Sequence, residues 1–332
     1  MQKIIGVLFL IVILAFGCTV FEKDEKPQIE IPENPDINKT NESPYQPPKP
    51  VYKDVLNDTI RYDEQPSAEL EVHFINVGMG DSILLKKGNF EILINAGGQG
   101  EKVVNYLKEI GVDDLELVIS TKYTQSSVSE MRSVLENYKV KQYWDNGMED
   151  KENIYYDQIS EILELKKVPV KNPTAGERIV LNGISITVLN PQEKRYSDFN
   201  PTLNSIALHI TDRNFSLFLS DVEAGVQNTI LSNYPEIKST FMKVPNHGAG
   251  TVTVGGDQRV ELFSVIDKVL PEYAVVFVGP NENELPNPTI LETFRLRGAK
   301  MLRTDLNGTI LVKTDGYDYT ITTSITQDSK KR

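Results

Sequence analysis

From Leu70 onward the chain consists of short runs of alternating apolar and polar residues, interrupted by segments whose apolar residues recur at helical spacing. "LEVHFIN", "SILLKK" and "FEILIN" are three β-rich runs in succession, the last closed by the turn residues of "INAGG". Period-two runs joined by short turns predict an antiparallel opening meander. In "EKVVNYLKEIG" the residues Val103, Val104, Leu107 and Ile110 share one helical face, and Gly111 supplies a stop. "LELVIS" then reads as a buried strand and "SSVSEMRSVLENY" as one helix, with Val128, Met131, Val134, Leu135 and Tyr138 facing inward. The second half continues in this style. Strands are expected at "ISITVLN", "NSIALHIT", "FSLFLSD", "STFMKVP" and "YAVVFVG", with a closing pair at "GTILVKT" and "YDYTITTSI"; helices fit "IYYDQISEILELKK", "GVQNTILSNY", "RVELFSVIDKVL" and "NPTILETFRLRG". Each element has one apolar side to bury, and two mixed sheets with helices on their outer faces satisfy all of them.

The segment ahead of Leu70 is of another kind. Residues 1–17, "MQKIIGVLFLIVILAFG", carry one Lys and then 13 mostly large apolar residues from Ile4 to Phe16. That run is short for a spanning helix and suits a signal-peptide core. Cys18 follows at once and is the single cysteine of the 332-residue chain, so no internal disulfide can form. "LAFGC" resembles a lipoprotein signal box, which implies cleavage before Cys18 and lipidation of its sulfur. The alternative is an uncleaved membrane anchor, and either reading puts the rest of the chain on the extracytoplasmic face of the cell membrane. Residues 18–66 include "EKPQIEIPENPDINKTNESPYQPPKP", too poor in apolar residues to offset the entropy of ordering, so a disordered, solvated tether is expected. Asn38, Asn41 and Asn57 stand in glycosylation-type triplets.

The formal net charge of -12 argues against a phosphate-binding surface, because non-specific nucleic-acid affinity rests on clustered Lys and Arg displacing counterions. No tight nucleic-acid binding is expected.

Several ordered motifs carry a resemblance. "VHFINVGMGDSILLKKGNFEILINAGG", "LELVISTKYTQSSVSEM", "NPTLNSIALHI", "LFLSDVE", "FMKVPNHGA", "VVFVGPNENELPNP" and "MLRTDLNGTILV" resemble, in order, the metallo-β-lactamase-fold domain of the ComEC-like hydrolases. Those include the extracellular C-terminal domain of the competence DNA-uptake channel. The likeness implies a domain over residues 67–326, a four-layer αββα sandwich of the α/β class, and an active site at one edge between the sheets.

In that family the second block reads T-H-x-H-x-D-H, because a divalent metal needs His and carboxylate ligands converging from a rigid strand-to-helix loop. Aligned on Thr121, this chain has Lys122, Thr124, Ser126 and Ser127 at the four ligand positions. None is a normal zinc ligand. Asn76 and Asn95 stand where the family has Asp, Asn246 and His247 where it has His-His, and Asn287 where it has a late His. Asp221 remains at the position of a bridging carboxylate. Replacing Asp by near-isosteric Asn keeps hydrogen bonds while removing charges that would repel once the cations are gone.

The residues that are left carry little chemistry. His73 and His209 lie within strands and are read as hydrogen-bonded strand residues. His247 is read as lining the vestigial cleft, and Asp221 either as a residual site carboxylate or as a cap for the following helix. Ser126 or Ser127 could in principle be a nucleophile with Lys122 as base, but a Ser opening a helix is more often an N-cap. Tyr143 and Trp144 read as core. The leading expectation is therefore a lipid-anchored, non-catalytic binding or structural module of metallo-β-lactamase fold, with no cofactor and an unknown cell-surface protein or ligand as partner. The alternative is a divergent hydrolase of phosphodiester or related bonds, using zinc or manganese at Asp221 and His247. Lys122 is expected to replace the lost metal as the partner of Asp221, directly or through one water.

Overall fold

The computed structural model describes residues 53–54, 68–195, 200, 202–222, 224–249 and 258–325. The expected signal segment, the lipidated Cys18 and nearly all of the expected tether, with Asn38, Asn41 and Asn57, lie outside the described residues.

Two eight-stranded sheets form the centre. The first runs, in spatial order, Tyr319–Thr323, Ile310–Thr314, Leu70–Phe74, Ile83–Lys87, Phe90–Ile94, Leu117–Ile119, Tyr143–Trp144 and Val170–Lys171. It is antiparallel as far as Phe90–Ile94 and parallel beyond. The second runs Lys53–Asp54, Glu177–Leu181, Ile184–Asn190, Ala207–Asp212, Phe215–Leu219, Phe241–Lys243, Tyr273–Val276 and Lys300–Arg303. Its last three pairings are parallel. Lys53–Asp54, inside the stretch read as a tether, pairs with Glu177–Arg178.

Period two along the strands divides the apolar residues between a shared core and two outer ones. Phe90, Ile92 and Ile94 meet Ile184, Ile186 and Phe241 between the sheets, while Leu93, on the opposite face of its strand, packs under helices Lys102–Glu109, Met131–Asn137 and Ile154–Lys166. On the far side Met242 and Val244 pack under helices Ala224–Asn233, Gln258–Val269 and Pro288–Leu296. The result is the αββα layering expected. Parallel strands return through these helices, so the segments after Leu117–Ile119, Phe215–Leu219 and Phe241–Lys243 all emerge at one edge of the sandwich.

Two features depart from the sequence reading. Short strands at Tyr143–Trp144, Val170–Lys171, Glu177–Leu181 and Lys300–Arg303 complete the sheets, most of them too short to show a period. Tyr143 and Trp144 are fully buried. The single helix expected over "SSVSEMRSVLENY" is two, Gln125–Val128 and Met131–Asn137. Glu130 breaks it, because its N–H donates to Ala96 O at 2.8 Å and its carboxylate accepts from Val103 N at 2.9 Å. That carboxylate serves as the cap of helix Lys102–Glu109, whose own N-cap residue makes no side-chain bond. Glu130→Ala would leave the buried Val103 N–H without a partner and should cost about 1–3 kcal/mol. Urea unfolding of the variant measures this.

Candidate functional site

Four segments converge at the sheet edge. The loop from Ile75 to Ser82 brings Asp81, the segment after Leu117–Ile119 brings Lys122, Asp221 follows strand Phe215–Leu219, and Lys243 ends strand Phe241–Lys243, ahead of a tight turn at Pro245–Gly248. Lys243 shares a face with Phe241, two residues earlier, and so points into the space between the sheets. A charge there cannot reach bulk water. It is instead held by two carboxylates.

The Lys243 Nζ lies 2.5 Å from Asp221 Oδ1 and 3.1 Å from Asp81 Oδ2, and all three side chains are buried. The contact to Asp81 is an ion pair without hydrogen-bond alignment, since neither Asp81 oxygen accepts a hydrogen bond. Asp221 Oδ1 also accepts from Asn246 N at 2.9 Å, which fixes the turn to the carboxylate. Lys122 Nζ stands 3.8 Å from Asp221 Oδ2 and 3.4 Å from Asn246 Oδ1. Lys122 is thus within ion-pairing reach of Asp221, but Lys243 is the nearer and better-aligned cation.

Burial sets the protonation of the cluster, and the ammoniums then divide it. Burial pushes Asp81 above the ordinary carboxylate range, and neighbouring Asp221 adds to the rise while Lys243 opposes it. For Asp221 burial acts in the same sense, yet Lys243 and then Lys122 outweigh it and hold this carboxyl well below its usual value. Burial also works against the Lys243 ammonium, but Asp221 and Asp81 more than compensate and keep its pKa above that of a free lysine. The charged form is therefore favoured at Asp221 and opposed at Asp81.

The remaining positions serve the backbone. Asn246 and His247 have φ of 47° and 56°, in the left-handed region that Asn and His enter more readily than other non-glycine residues. His247 Nδ1–H donates to Phe277 O at 2.9 Å and lies 3.8 Å from Asp81 Oδ1. His247 does line the cleft. Asn95, itself at φ 61°, accepts from Thr121 N at 2.9 Å and so clamps the start of the Lys122 segment. Asn76 accepts from Gly78 N, and Asn287 caps helix Pro288–Leu296 through Thr289 N. All three Asn side chains accept from backbone N–H groups. Gly97 lets the "INAGG" turn meet the Ser126 carbonyl so closely that a Cβ there would stand 1.7 Å from the oxygen.

Of the two readings of Asp221, site carboxylate or helix cap, the bonds among the described residues are those of the first, since its carboxylate accepts from Lys243 and Asn246. Ser126 and Ser127 are not N-caps: Thr124 holds that position, makes no cap bond to the backbone, and donates its hydroxyl to Ser127 Oγ at 3.1 Å. Asp81 and Lys243, which the sequence reading passed over, are central. The signal was present in "FMKV", a lone charge within an apolar strand, and in "MGDSILL", an acid entering one.

The donor set does not fit a metal centre. Asp81, Asp221 and His247 approach the cleft, but a lysine ammonium lies between the carboxylates. Among the described residues, the place where three carboxylate, imidazole or thiol ligand atoms come within 4.8 Å of one another is Glu91, Asp113 and Asp114, outside this cleft. The Ile75–Ser82 loop also walls an open cavity of about 530 Å³, lined by Asn76, Gly78, Lys102, Gly279, Asn281 and Glu284 among others.

Layering and strand order are those of an αββα sandwich of the metallo-β-lactamase type. In sequence the chain is similar to two competence proteins. It is 25% identical over 271 residues to ComE operon protein 3 of Bacillus subtilis, covering 74% of this chain and 33% of that protein. It is 23% identical over 256 residues to Competence protein ComA of Neisseria gonorrhoeae, with 75% and 33% covered. The chain thus spans about a third of the length of these curated relatives. No family model matches it. Among solved structures it is similar to the metallo-beta-lactamase fold protein YhfI from Bacillus subtilis, with a TM-score of 0.48, 9% identity, and 71% of this chain and 95% of that one covered. It is also similar to Tm1679, a metal-dependent hydrolase of the beta-lactamase superfamily, with a TM-score of 0.48, 9% identity, and 72% and 98% covered.

Lys243→Met should cost about 3–5 kcal/mol, since it leaves two buried carboxylates facing each other. Lys122→Met should cost less, because Asp221 keeps its nearer partner. The pH dependence has a defined sign. The folded pKa of Asp81 is raised above 3.8, so its contribution to stability is present below that value and is lost as pH rises through the folded pKa. Asp221, depressed, contributes above 3.8 and loses that contribution as pH falls below it. Asp81→Asn, which keeps a donor toward Asp221, should therefore remove a penalty and hold or raise the melting temperature at neutral pH. Melting curves of the three variants across pH 3 to 8 check this ordering.

Proposed function

We propose that this protein is a membrane-anchored, cell-surface module of metallo-β-lactamase fold that no longer holds metals and acts by binding or scaffolding. The observation that carries the reading is the Lys243 ammonium, 2.5 Å from Asp221 and 3.1 Å from Asp81. A cation bonded to the bridging-position carboxylate supplies the charge balance that divalent metal supplies in the hydrolases, but offers no Lewis acidity and no site for an activated water. Lys122, the three Asn side chains and the hydroxyl residues Thr124, Ser126 and Ser127 support the same reading. The open cavity built on the Asn76–Asp81 and Phe277–Asn287 loops is where a ligand would be bound. Anchoring rests on the lipoprotein-like box ending at Cys18. No described helix is long and apolar enough to cross a membrane.

In calcium-free buffer the purified protein should melt at the same temperature with and without chelator. It should hydrolyse neither bis-p-nitrophenyl phosphate nor single-stranded DNA faster than an Asp221→Ala control. Near-stoichiometric zinc or manganese in the preparation, or hydrolysis lost in Asp221→Ala, would establish the divergent hydrolase instead. Cys18→Ser should leave the precursor unprocessed and unlabelled by radioactive fatty acid. Wild-type protein recovered free in the medium would reject the anchor. One acyl chain gives only marginal attachment, so a second chain is expected on the same cysteine.

A further inference from the structure

On the helix-covered face of the first sheet, one cross-strand row carries charges of alternating sign. Lys313 pairs in register with Glu71, Glu71 with Lys86, and Lys86 with Glu91. Lys313 Nζ lies 2.5 Å from Glu71 Oε1, and Lys86 binds Glu91 Oε1. Opposite charges facing each other across strands support the sheet. After Glu91 the alternation fails.

The next residue in the row is Glu116, whose carboxylate accepts from Glu91 N at 2.7 Å. Asp113 and Asp114 lie beside it, in the segment that follows helix Lys102–Glu109. Lys141 is the cation here, 2.6 Å from Glu116 Oε1 and 3.1 Å from Asp114 Oδ2. Glu91, Asp113, Asp114 and Glu116 thus share two ammoniums, Lys86 and Lys141. The deficit falls on Glu91, which is 1% exposed and whose Oε2 accepts no hydrogen bond. A buried carboxylate oxygen without a donor is costly, and nearby acids add to that cost. Burial raises the Glu91 pKa above its ordinary value, and Glu116 and Asp113 act in the same sense against Lys86. Ligand atoms of Glu91, Asp113 and Asp114 all lie within 4.8 Å of one another.

We propose that Glu91, Asp113 and Asp114 bind a hard divalent cation of the calcium class, with the unpartnered Glu91 oxygen as the buried ligand. All three donors are carboxylates, which suits a hard cation. Asp113 is exposed and Asp114 half-buried, so water can complete the shell. Calcium tolerates such an irregular set, whereas magnesium demands near-ideal octahedral geometry. The site stands on the outer face of the sheet and is independent of the vacated cleft and of the function proposed for it.

The test titrates calcium chloride into the detergent-solubilised full-length protein, reading melting temperature and calorimetric binding, with sodium chloride at matched ionic strength as control. Wild type should show a saturable rise in melting temperature with a Kd on the order of 0.1–1 mM, and Asp113→Asn/Asp114→Asn should weaken it by about tenfold or more. Glu91→Gln should abolish the rise while leaving the calcium-free melting temperature equal or higher, which a merely structural Glu91 would not do. If Glu91→Gln does not fold, the exposed double variant decides. No saturable shift in wild type, an equal shift with sodium chloride, or an undiminished shift in the double variant would overturn the site.

Discussion

One lysine holds this edge of the molecule together. Lys243 sits on the inner face of a three-residue strand whose other side chains are Phe and Met, and it answers two carboxylates brought from segments far apart in sequence. Against apolar replacements a buried ion pair of this kind contributes little net stability; against the loss of one partner it is expensive to break. Its effect is therefore on which arrangement of loops is allowed. Asp221 keeps its charge chiefly because Lys243 is in place, and through Asn246 N the same carboxylate fixes the turn that positions His247.

The loops around the cluster are shaped to close in on it. Asp81 N donates to Ser126 O at 2.8 Å, so the backbone that would carry the family's third ligand position is tied to the loop carrying Asp81. The close approach of Gly97 to that carbonyl draws the "INAGG" turn in as well. The clamp of Asn95 on Thr121 completes the set. Thr124, Ser126 and Ser127 then bond among themselves. The interior of this edge is occupied by lysine side chains and amide hydrogen bonds.

Much of the fold was legible. The αββα layering followed from period-two and period-3.6 runs in sequence, because each run states which of its sides must be buried. What escaped were the shortest strands, such as Tyr143–Trp144, where two residues cannot display a period. The break at Glu130 escaped too, because its cause is a carbonyl of Ala96 and an amide of Val103, both distant in sequence. At the site, it was readable that Lys122, Thr124, Ser126 and Ser127 are not ordinary zinc ligands, since residue identity alone decides what can coordinate a metal.

Sequence by itself determined the layering, the residue types at the family's ligand positions, and the surplus of acidic residues. It could not determine which cation would meet Asp221. The sequence pointed to Lys122, and that Lys243 is the nearer partner depends on distances of 3.8 and 2.5 Å that arise only when parallel strands end side by side. The same is true of the outer face, where the alternation of Lys313, Glu71, Lys86 and Glu91 exists only in register across strands. Coulomb attraction weakens as charges separate and hydrogen bonds need contact distance, so tertiary structure, which sets the distances, decides them.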